Sequence, residues 1–522
     1  MAVSLVALVV LLLTIVVPLL YILLLSGKKP APPQRRGGGN GRRLPPSPPG
    51  LPLLGHLHLL GTLPHRALRS VAAAHGPVVL LRLGRVPTVL VSSAAAAEEV
   101  MKTRDLAFAS RPRSAVADRL LYGRDVAFAP YGEYWRQARR ICVVHLLSAR
   151  RIQSFRRVRE QEAAALVDHV RAHALAGAVV DLSNLLIVYT NTVVSRAAFG
   201  DESARSLYDD GDKHRNLRKV FNEFQELLGT TPVGEFLPWL GWVDAMRGLE
   251  GRIRWTFEAL DGLLEKVIDD HRCRPHVNRQ IGDDGDGDHR DFVDVLLDVH
   301  KNDKEYGIRL ETNEIKAIIL DMFAAGTDTT YTVMEWAMAE LVTHPRAMRR
   351  VQDEIRGAVD VGSTGSVTED HLDALHYLKA VVKETLRLHV PIPLLVPREP
   401  PADTEILGYH VPARTRVVIN AWAIARDPVT WEKAEEFVPE RFLDSSVDYK
   451  GQHLELVPFG AGRRGCPGIG FAEATIAMAL ASLLYHFDWA QTERKSLDMS
   501  EMNGMSVHIK SGVLLVVKPW IP

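Results

Sequence analysis

The chain has 522 residues, of which 47% are hydrophobic, and this is enough to bury a large core. Lysine and arginine together number 63, as do aspartate and glutamate, so the net charge gives no argument for a nucleic acid or an acidic partner. The three cysteines, Cys142, Cys273 and Cys466, are far apart in the sequence and form no CxxC pair. This spacing argues against a disulfide framework and a structural zinc site, and it favours a reducing compartment.

The N-terminal segment predicts a membrane anchor. Residues 2–25 carry no charged side chain, and as a helix they would be about 36 Å long, which is enough to span a bilayer. Lysines and arginines follow this segment between residues 28 and 43. That order favours an uncleaved transmembrane anchor over a cleaved signal peptide, with the remaining chain in the cytosol. Residues 26–50 are basic and then proline-rich, and they predict a linker before a folded domain over residues 51–522.

The rest of the chain predicts a mainly α fold with a small β component. Residues 77–93 predict a β-hairpin that turns at Gly84 and Arg85. Short strands are expected over 405–411, 415–419 and 513–518. Apolar residues at three- and four-residue spacing predict helices over 96–103, 132–147, 149–176, 182–198, 213–228, 249–271, 311–343, 369–389 and 471–487. Since no internal repeat is visible, we expect a single large domain.

Three stretches allow more than one interpretation. Residues 229–242 are rich in glycine, proline and aromatic residues, which is typical either of a loop near a membrane or substrate entrance or of a buried aromatic loop. Residues 282–288 are acidic, but no frame satisfies both fixed positions of a calcium loop, so they predict a solvated loop. Residues 460–465 match GxGxxG, but Pro458 interrupts the preceding apolar run and no βαβ pattern surrounds it, which argues against a dinucleotide site.

The stretch 459–468, FGAGRRGCPG, predicts a bound cofactor. It holds Cys466 immediately before an apolar helical run, so backbone N–H groups at the helix start would point toward the sulfur and favour its ionised, metal-binding form. Glycines let the backbone approach a flat, bulky ligand, and Arg463 and Arg464 offer charge for acidic groups. The stretch therefore predicts a cofactor that is ligated by a cysteine thiolate.

The predicted helix 311–343 contains the sequence AGTDTT at residues 325–330. Gly326 in the middle of a helix costs about 1 kcal/mol relative to alanine, and small residues there leave room for a ligand. The Thr329 hydroxyl is expected to bond the Ala325 carbonyl, and Asp328 offers a carboxylate beside it. A hydroxyl and an acid next to a groove suit proton delivery, although an ordinary polar helix face has the same composition.

Three charged motifs are ambiguous when each is taken alone. Glu384 and Arg387 lie one turn apart on a predicted helix, which is a common surface pair. Arg441 in the sequence PERF could join them in a buried network. Trp135 and Arg139 are four residues apart in a basic segment, which is equally typical of a surface helix.

The order of these motifs resembles that of the cytochrome P-450 superfamily of haem-thiolate monooxygenases. The resemblance covers about residues 45–520 and matches every fixed position of the family's cysteine loop, namely Phe459, Gly462, Arg464, Cys466 and Gly468. The hydrophobic N-terminus, the proline-rich hinge and phrases such as FAPYGEYWRQARR resemble plant microsomal members that make specialised metabolites. One departure is Val390, which replaces the proline that usually follows the histidine of LRLH.

The resemblance implies a cytochrome P-450 fold, with a single large catalytic domain behind an N-terminal transmembrane helix, and haem b as cofactor. Cys466 would be the axial thiolate ligand of the haem iron. Asp328 and Thr329 would deliver protons to dioxygen. The haem propionates would be held by Trp135, Arg139, Arg398 and Arg464, and a folding-critical network would consist of Glu384, Arg387 and Arg441.

The implied activity is insertion of one oxygen atom from O2 into an apolar small molecule such as an indole, terpenoid or phenylpropanoid. Electrons would come from NADPH through an NADPH–cytochrome reductase, and the enzyme would be a single-pass protein of the endoplasmic reticulum membrane, with no nucleic-acid partner. The segments 111–121, 224–242, 319–325, 390–396 and 505–507 would contact the substrate. Two alternatives are a haem-thiolate isomerase or dehydratase that does not use O2, and a membrane-tethered haem carrier or sensor.

Overall fold

The computed structural model describes residues 43–208, 211–273, 290–302, 307–359, 366–492 and 496–521. The compact unit begins at Leu44, earlier than the predicted domain start at residue 51. Pro45 and Pro48 are buried, and the Pro46 carbonyl accepts a hydrogen bond from the Leu80 N–H at 2.8 Å. The end of the predicted linker therefore packs on the domain, whereas the predicted anchor and the acidic stretch 282–288 lie outside the described residues.

The described part of the chain is mainly helical, as predicted. In chain order the α-helices are α1 (Pro64–His75), α2 (Ala94–Glu98), α3 (Ala115–Leu120), α4 (Glu133–Ile141), α5 (Ala149–Ser154), α6 (Arg156–Leu175), α7 (Leu182–Tyr208), α8 (Gly211–Gly229), α9 (Val233–Phe236), α10 (Gly241–Met246), α11 (Leu249–Cys273), α12 (Phe292–Lys301), α13 (Thr312–Thr343), α14 (Pro345–Ala358), α15 (Glu369–Leu372), α16 (His376–Leu388), α17 (Ala421–Ile424) and α18 (Ile469–His486).

The β component is small and divided among short sheets. The strands are β1 (Val78–Leu83), β2 (Val86–Val91), β3 (Val180–Asp181), β4 (Thr404–Ile406), β5 (Tyr409–Val411), β6 (Arg416–Ile419), β7 (Phe487–Gln491), β8 (Glu501–Met502), β9 (His508–Ile509) and β10 (Leu514–Pro519). The predicted hairpin is present as β1 and β2, and β6 pairs with β2 in parallel. A second sheet has the order β3-β10-β7.

Helix α13 runs through the core. Its first turn is closed by a capping box in which the side chains of Glu311 and Glu314 accept from each other's backbone N–H groups. Most of its residues are buried on all sides, and it packs against α7, α16 and α18. A long helix that is enclosed by other helices forms a rigid wall for any cavity beside it.

Four predicted segments differ in detail from the structure. The helix predicted over 149–176 is divided at Phe155 into α5 and α6. The helix predicted over 369–389 is divided into α15 and α16, and the strand predicted over 405–411 is a hairpin that turns at Leu407 and Gly408, whose φ angles are +48° and +75°. Residues 229–242 form short helical turns instead of a loop, and Trp239 and Trp242 are 50% and 57% exposed. The buried-loop interpretation of that segment is therefore wrong.

Among the described residues, one helix is long and apolar enough to cross a membrane by length and composition. This helix is α18, and 61% of its apolar window is buried inside the protein. Its core residues pack against α6, α13 and α14, so its apolar character is accounted for by burial in the domain.

Candidate active site

The loop before α18 has a backbone that only glycine allows. Gly462 has φ of +69°, and a Cβ atom there would lie 2.1 Å from the Met101 carbonyl oxygen. The Cys466 N–H donates to the Phe459 carbonyl at 2.9 Å and closes the loop. The Gly468 N–H then points at the Cys466 Sγ atom at 3.3 Å. The predicted amide donor to the sulfur at the start of the helix is thus confirmed.

Opposing influences act on the free Cys466 thiol. Burial raises its pKa above the usual value, whereas the Gly468 amide and the Arg139 charge lower it, as predicted. Whether the metal-bound cysteine is ionised stays a prediction. A metal bound to the sulfur would supply the missing stabilisation, because a coordinated thiol loses its proton outright.

Cys466 lies in the wall of a cavity of about 250 Å³. Helix α13 also lines this cavity, where it presents Ala325, Gly326 and Thr329. Most of the remaining lining is apolar, including Ile392 and Leu395. Parts of three segments predicted to contact substrate thus line the cavity, namely 111–121, 319–325 and 390–396. No described residue of 224–242 or 505–507 lines it.

Two predicted features of α13, the hydrogen bond of Thr329 and the glycine at position 326, have different structural causes. The Thr329 hydroxyl donates to the Ala325 carbonyl at 2.7 Å, as predicted. A Cβ atom on Gly326 would lie 3.2 Å from the Val194 side chain of α7. Gly326 therefore allows close packing of α13 on α7, in addition to lining the cavity, and sequence periodicity could not identify that neighbour.

The Asp328 carboxylate does not lie beside the Thr329 hydroxyl. It is buried and accepts a short hydrogen bond from the Ser506 hydroxyl, and its other oxygen is 3.6 Å from His508 Nε2. Asp328 is absent from the cavity lining, whereas Thr329 is part of it. The predicted pair therefore faces two different sides of α13, and its role in proton delivery stays a prediction.

Four arginines line the cavity close to the cysteine loop, and they donate mainly to backbone carbonyls. Arg139 donates to Gly465 at 2.5 Å, Arg398 donates to Ala461 at 2.9 Å, and Arg464 donates to Ala109 and Ala129 at 2.6 Å each. The fourth is Arg111, which donates to Val396 at 2.6 Å. Sequence reasoning did not assign Arg111 to the cofactor, because no local motif links it to the other three.

The charges of these arginines are poorly balanced by the chain. Burial and repulsion from Arg398 lower the pKa of Arg464 to about 9. Burial and repulsion from Arg464 and Arg398 also lower the pKa of Arg111 well below its usual range. The charge of Asp125 offsets this effect only in part for Arg464 and Arg111, and the Asp105 carboxylate is 3.4 Å from Arg398. A ligand that carries two carboxylates would remove this repulsion.

Trp135 supports Arg464. Its indole N–H donates to the Val126 carbonyl at 2.9 Å, and the Arg464 guanidinium lies over its ring at 4.0 Å from the centroid. A cation over an aromatic face is stabilised in a buried setting. The indole N–H is thus hydrogen-bonded to the backbone, and the contact of Trp135 with a haem propionate stays a prediction.

The predicted network of Glu384, Arg387 and Arg441 is assembled and buried. Arg387 donates to both Glu384 oxygens at 2.8 and 2.9 Å, and the Arg441 Nε donates to Glu384 at 3.1 Å. Glu384 and Arg387 have no exposed side-chain surface. The structure therefore brings the three residues together, and their importance for folding stays a prediction.

Sequence comparison identifies the family. The family described as Cytochrome P450 matches residues 45–516. The chain belongs to the cytochrome P450 family. It is 47% identical to Cytochrome P450 736A117 of Prunus mume, over 91% of this chain and 90% of that protein. It is 48% identical to Cytochrome P450 71A1 of Persea americana, over 89% of this chain and 91% of that protein.

Solved structures agree with this assignment. A zebra fish cytochrome P450 with abiraterone is 25% identical, with a TM-score of 0.73, over 88% of this chain and 100% of that chain. The fold is thus the predicted cytochrome P450 fold. This P450 is an oxidoreductase of the monooxygenase class, and its cofactor is haem b.

The cavity fits haem b by its own chemistry. The Cys466 sulfur would bind the haem iron, and Gly460, Gly465 and Gly468 leave the wall beside it without side chains. The underbalanced arginines are opposite in charge to the two propionates of haem b. The fit therefore depends on the burial of the arginines, on the repulsion between them and on the glycines in the cavity wall.

Proposed function

We propose that this P450 inserts one oxygen atom from O2 into an apolar small molecule, with Cys466 as the axial haem ligand. The observation that carries this proposal is that Cys466 and Thr329 line the same mostly apolar cavity. A substrate in this cavity would be near both the cysteine that would hold the cofactor and the Thr329 hydroxyl.

The remaining cofactor contacts follow from the arginines. We infer that Arg139, Arg398 and Arg464 bind the haem propionates and that Trp135 holds Arg464 in place by its ring. All three arginines line the cavity, so their charges lie where a bound carboxylate would be. The binding free energy gained is large because each guanidinium exchanges a neutral carbonyl partner for a charged carboxylate.

When bound, haem b supplies the binding and activation of O2. The chain's part is to deliver protons. The Thr329 hydroxyl donates a hydrogen bond to the Ala325 carbonyl, which fixes its direction. Its oxygen can then accept a hydrogen bond from a water in the cavity that carries the proton. Asp328 would resupply protons after a side-chain rotation away from Ser506.

The proposed substrate is an apolar plant specialised metabolite, such as an indole, terpenoid or phenylpropanoid. The lining by Ile392, Leu395 and Val396 supports an apolar ligand. One relative, 44% identical over 89% of this chain and 90% of its own length, is named Norfluorocurarine oxidase from Strychnos sp. That name is consistent with small-molecule oxidation among relatives.

We also propose an NADPH–cytochrome reductase as the electron donor and a single-pass location in the endoplasmic reticulum membrane. Residues 2–25 would be the anchor, residues 26–50 the linker, and residues 51–522 the cytosolic monooxygenase domain. Helix α4 contacts the cysteine loop through Arg139, and Arg136 and Arg140 of the same helix are exposed. These positive charges support docking of an acidic reductase surface near the cysteine side of the haem.

The absorption spectrum of the reduced, CO-bound protein tests the ligand assignment. We expect the unaltered protein and the Cys273→Ser control to show a thiolate-type Soret band, because Cys273 is exposed on another helix. Cys466→Ser should lose that band. Retention of the band by Cys466→Ser would contradict the assignment.

Consumption of NADPH and O2 with reductase and candidate substrates tests the reaction class. A monooxygenase consumes both reagents with one product oxygen per O2. An isomerase or dehydratase turns over substrate without either reagent, and a carrier or sensor does not turn over substrate. The Thr329 hydroxyl in the cavity favours the monooxygenase, because only that reaction needs protons for O2.

A further inference from the structure

A buried polar cluster connects α13 with the segment that leads into β9. Its members share hydrogen bonds between side chains, and none of them lines the cavity. They are Asp328, Tyr331, Thr332, Ser506 and His508. The resemblance predicted substrate contacts for residues 505–507, whereas the structure gives Ser506 contacts with Asp328 instead. The cluster therefore needs an explanation other than substrate binding.

The Ser506 hydroxyl connects His508 to Asp328. It donates a short hydrogen bond to the Asp328 Oδ2 atom, and its oxygen is 3.5 Å from the His508 Nε2 atom. The second distance is about 0.6 Å longer than an ordinary N–H···O hydrogen bond, so a small movement of the ring would close it. The imidazole and the carboxylate therefore lie on either side of one hydroxyl group, which can pass a proton between them.

The other ring nitrogen of His508 has a partner in either protonation state. The Tyr331 hydroxyl is 2.7 Å from Nδ1, and it stays a donor because burial raises the pKa of Tyr331 above its usual value. The Thr332 Oγ1 atom is 2.9 Å from Nδ1 and gives its own hydrogen to the Asp328 carbonyl at 2.7 Å, so it can accept. Neutral His508 thus accepts from Tyr331, and protonated His508 donates to Thr332. A group that carries protons needs partners in both states.

His508 is also the member of this connection that reaches solvent. Its side chain is 12% exposed, whereas Ser506 has no exposed surface. The Tyr331 ring stacks on the imidazole, with the ring centroids 4.9 Å apart, and holds it in place. His508 is therefore positioned to exchange protons with water, and Ser506 can exchange them only with its neighbours.

Three acidic groups lie on the elements that pack against His508. Burial lowers the pKa of His508, and the charge of Asp328 on α13 raises it in part. One turn further along α13, Glu335 accepts from the Ile509 N–H, and burial raises its pKa to about 7. On the paired strand β8, Glu501 has its own basic partners on α1. Asp328 is thus the acid that favours a positive charge on His508, and Glu335 is a second group that titrates near neutral pH.

We propose that His508 and Ser506 supply protons from solvent to Asp328. The Nε2–H bond of the His508 imidazolium breaks and its proton passes to the Ser506 oxygen, while the Ser506 hydroxyl proton passes to the Asp328 carboxylate. The neutral imidazole then takes up a new proton from water, so the net change is one proton moved and no electron transferred. This inference rests on the proposed function, because it assumes that Asp328 hands its proton on to Thr329.

The protonation of His508 can be measured without turnover. The full-length, haem-loaded protein with 15N-labelled histidine is studied by NMR in the reduced, CO-bound state, which is diamagnetic, and His508→Gln assigns the signal. We expect His508 to titrate between about pH 5 and 8. Its pKa should fall in Asp328→Asn, because an attractive charge is lost. A ring that keeps one protonation state over this range would overturn the proposal, since it could not load and release protons.

The fate of O2 gives a second measurement. Reduction of O2 ends in water when two protons reach the same oxygen atom, and in hydrogen peroxide when each oxygen atom receives one. Directed proton supply therefore favours water. Hydrogen peroxide released per NADPH oxidised is measured with reductase and with indole as the probe compound, and this ratio is defined whether or not indole is oxidised.

Two substitutions interrupt the connection at different points. Ser506→Ala removes the bridging hydroxyl, and His508→Gln keeps hydrogen-bonding groups but cannot carry a proton. Each should raise the peroxide ratio by about threefold or more. His410→Gln is the matched control and should leave the ratio unaltered, because His410 is 18% exposed and 3.5 Å from the Asp403 carboxylate but lies in the β4–β5 hairpin. An unchanged ratio in either Ser506→Ala or His508→Gln would overturn the proposal, so one folded variant is enough.

The pH dependence separates proton supply from simple anchoring of the segment on α13. His508 carries the proton below its pKa, so the peroxide ratio of the unaltered protein should rise as pH increases through the midpoint seen by NMR. In His508→Gln the ratio should be high and nearly independent of pH. Glu335→Gln should keep the rise, because Glu335 titrates but is not part of the connection. A rise that persists in His508→Gln, or is lost in Glu335→Gln, would contradict the proposal.

The same preparations distinguish this proposal from the proposed function. The reduced, CO-bound spectrum reports the Cys466 thiolate independently of His508. A normal spectrum with unchanged peroxide ratios would reject only the supply of protons through His508 and Ser506. A spectrum without the thiolate band in the unaltered protein would reject the proposed function, whatever the titration of His508.

Discussion

Two buried groups of charges in this P450 differ in how they are balanced. In the network behind the cavity, Glu384 lies between Arg387 and Arg441, and carbonyls satisfy the remaining donors of Arg387. In the cavity, Arg111 and Arg464 have carbonyl partners and repel each other. The charges of the first group are balanced within the chain, whereas those of the second group are balanced only when an anionic ligand is bound.

This difference separates residues for folding from residues for cofactor binding. A buried ion pair loses several kcal/mol when one partner is removed, because the other charge stays buried without compensation. An underbalanced cation costs the folded chain free energy until its ligand arrives. Substitutions in the first group should therefore change mainly the free energy of unfolding, and substitutions in the second group should change mainly the rate of haem release.

The largest expected effect is in the balanced network. Glu384→Gln leaves Arg387 buried without its carboxylate, so the free energy of unfolding should fall by about 3–5 kcal/mol. Urea unfolding measures the loss. Glu258→Gln, at an exposed position of α11, is the control and should change stability little. A similar loss in both variants would remove the distinction between the two groups.

The next effect is in the cavity group. Arg464→Met should speed haem release by about tenfold, because one charge-assisted contact to the cofactor is lost. The haem-free protein should keep its stability or gain some, since a repelled cation has been removed. Arg463→Met is the matched control, because Arg463 is adjacent but 52% exposed. Transfer of haem to an acceptor globin measures release, and a destabilised haem-free protein would contradict the expectation.

A smaller effect concerns pH. The pKa of Arg464 is lowered by burial and by Arg398 to about 9, below its value in the unfolded chain. Between these two values the unfolded chain binds the extra proton, so this residue contributes stability that rises as pH increases above about 9. The stability difference between unaltered and Arg464→Met haem-free proteins should therefore shift in favour of the unaltered chain above that pH. A pH-independent difference in urea unfolding would count against it.

The smallest effect is at a cation outside both groups. Arg140 is exposed on α4, and Arg140→Glu should lower reductase-supported turnover by about threefold at low salt, with a weaker loss at high salt. Lys510→Glu makes the same charge change on the exposed loop after β9 and should have little effect. Equal effects of the two variants would argue against docking at α4.

Much of the site could be predicted from local sequence. The FGAGRRGCPG loop, the start of α18 and the Thr329–Ala325 hydrogen bond depend on neighbouring residues, and the structure contains all three. The helix over 369–389 was less predictable. Its apolar spacing continues across the break between α15 and α16, so periodicity gives no signal there.

The tertiary structure decided what the distant residues do. Ser506 is 178 positions from Asp328, and it accounts for the direction in which the carboxylate points. Arg111 joins the cavity only because the chain brings it against Val396. The sequence alone therefore determined the family, the cysteine loop and most helices, since these depend on short-range spacing. The structure decided charge balance and side-chain direction, because burial and electrostatic repulsion depend on which distant residues become neighbours.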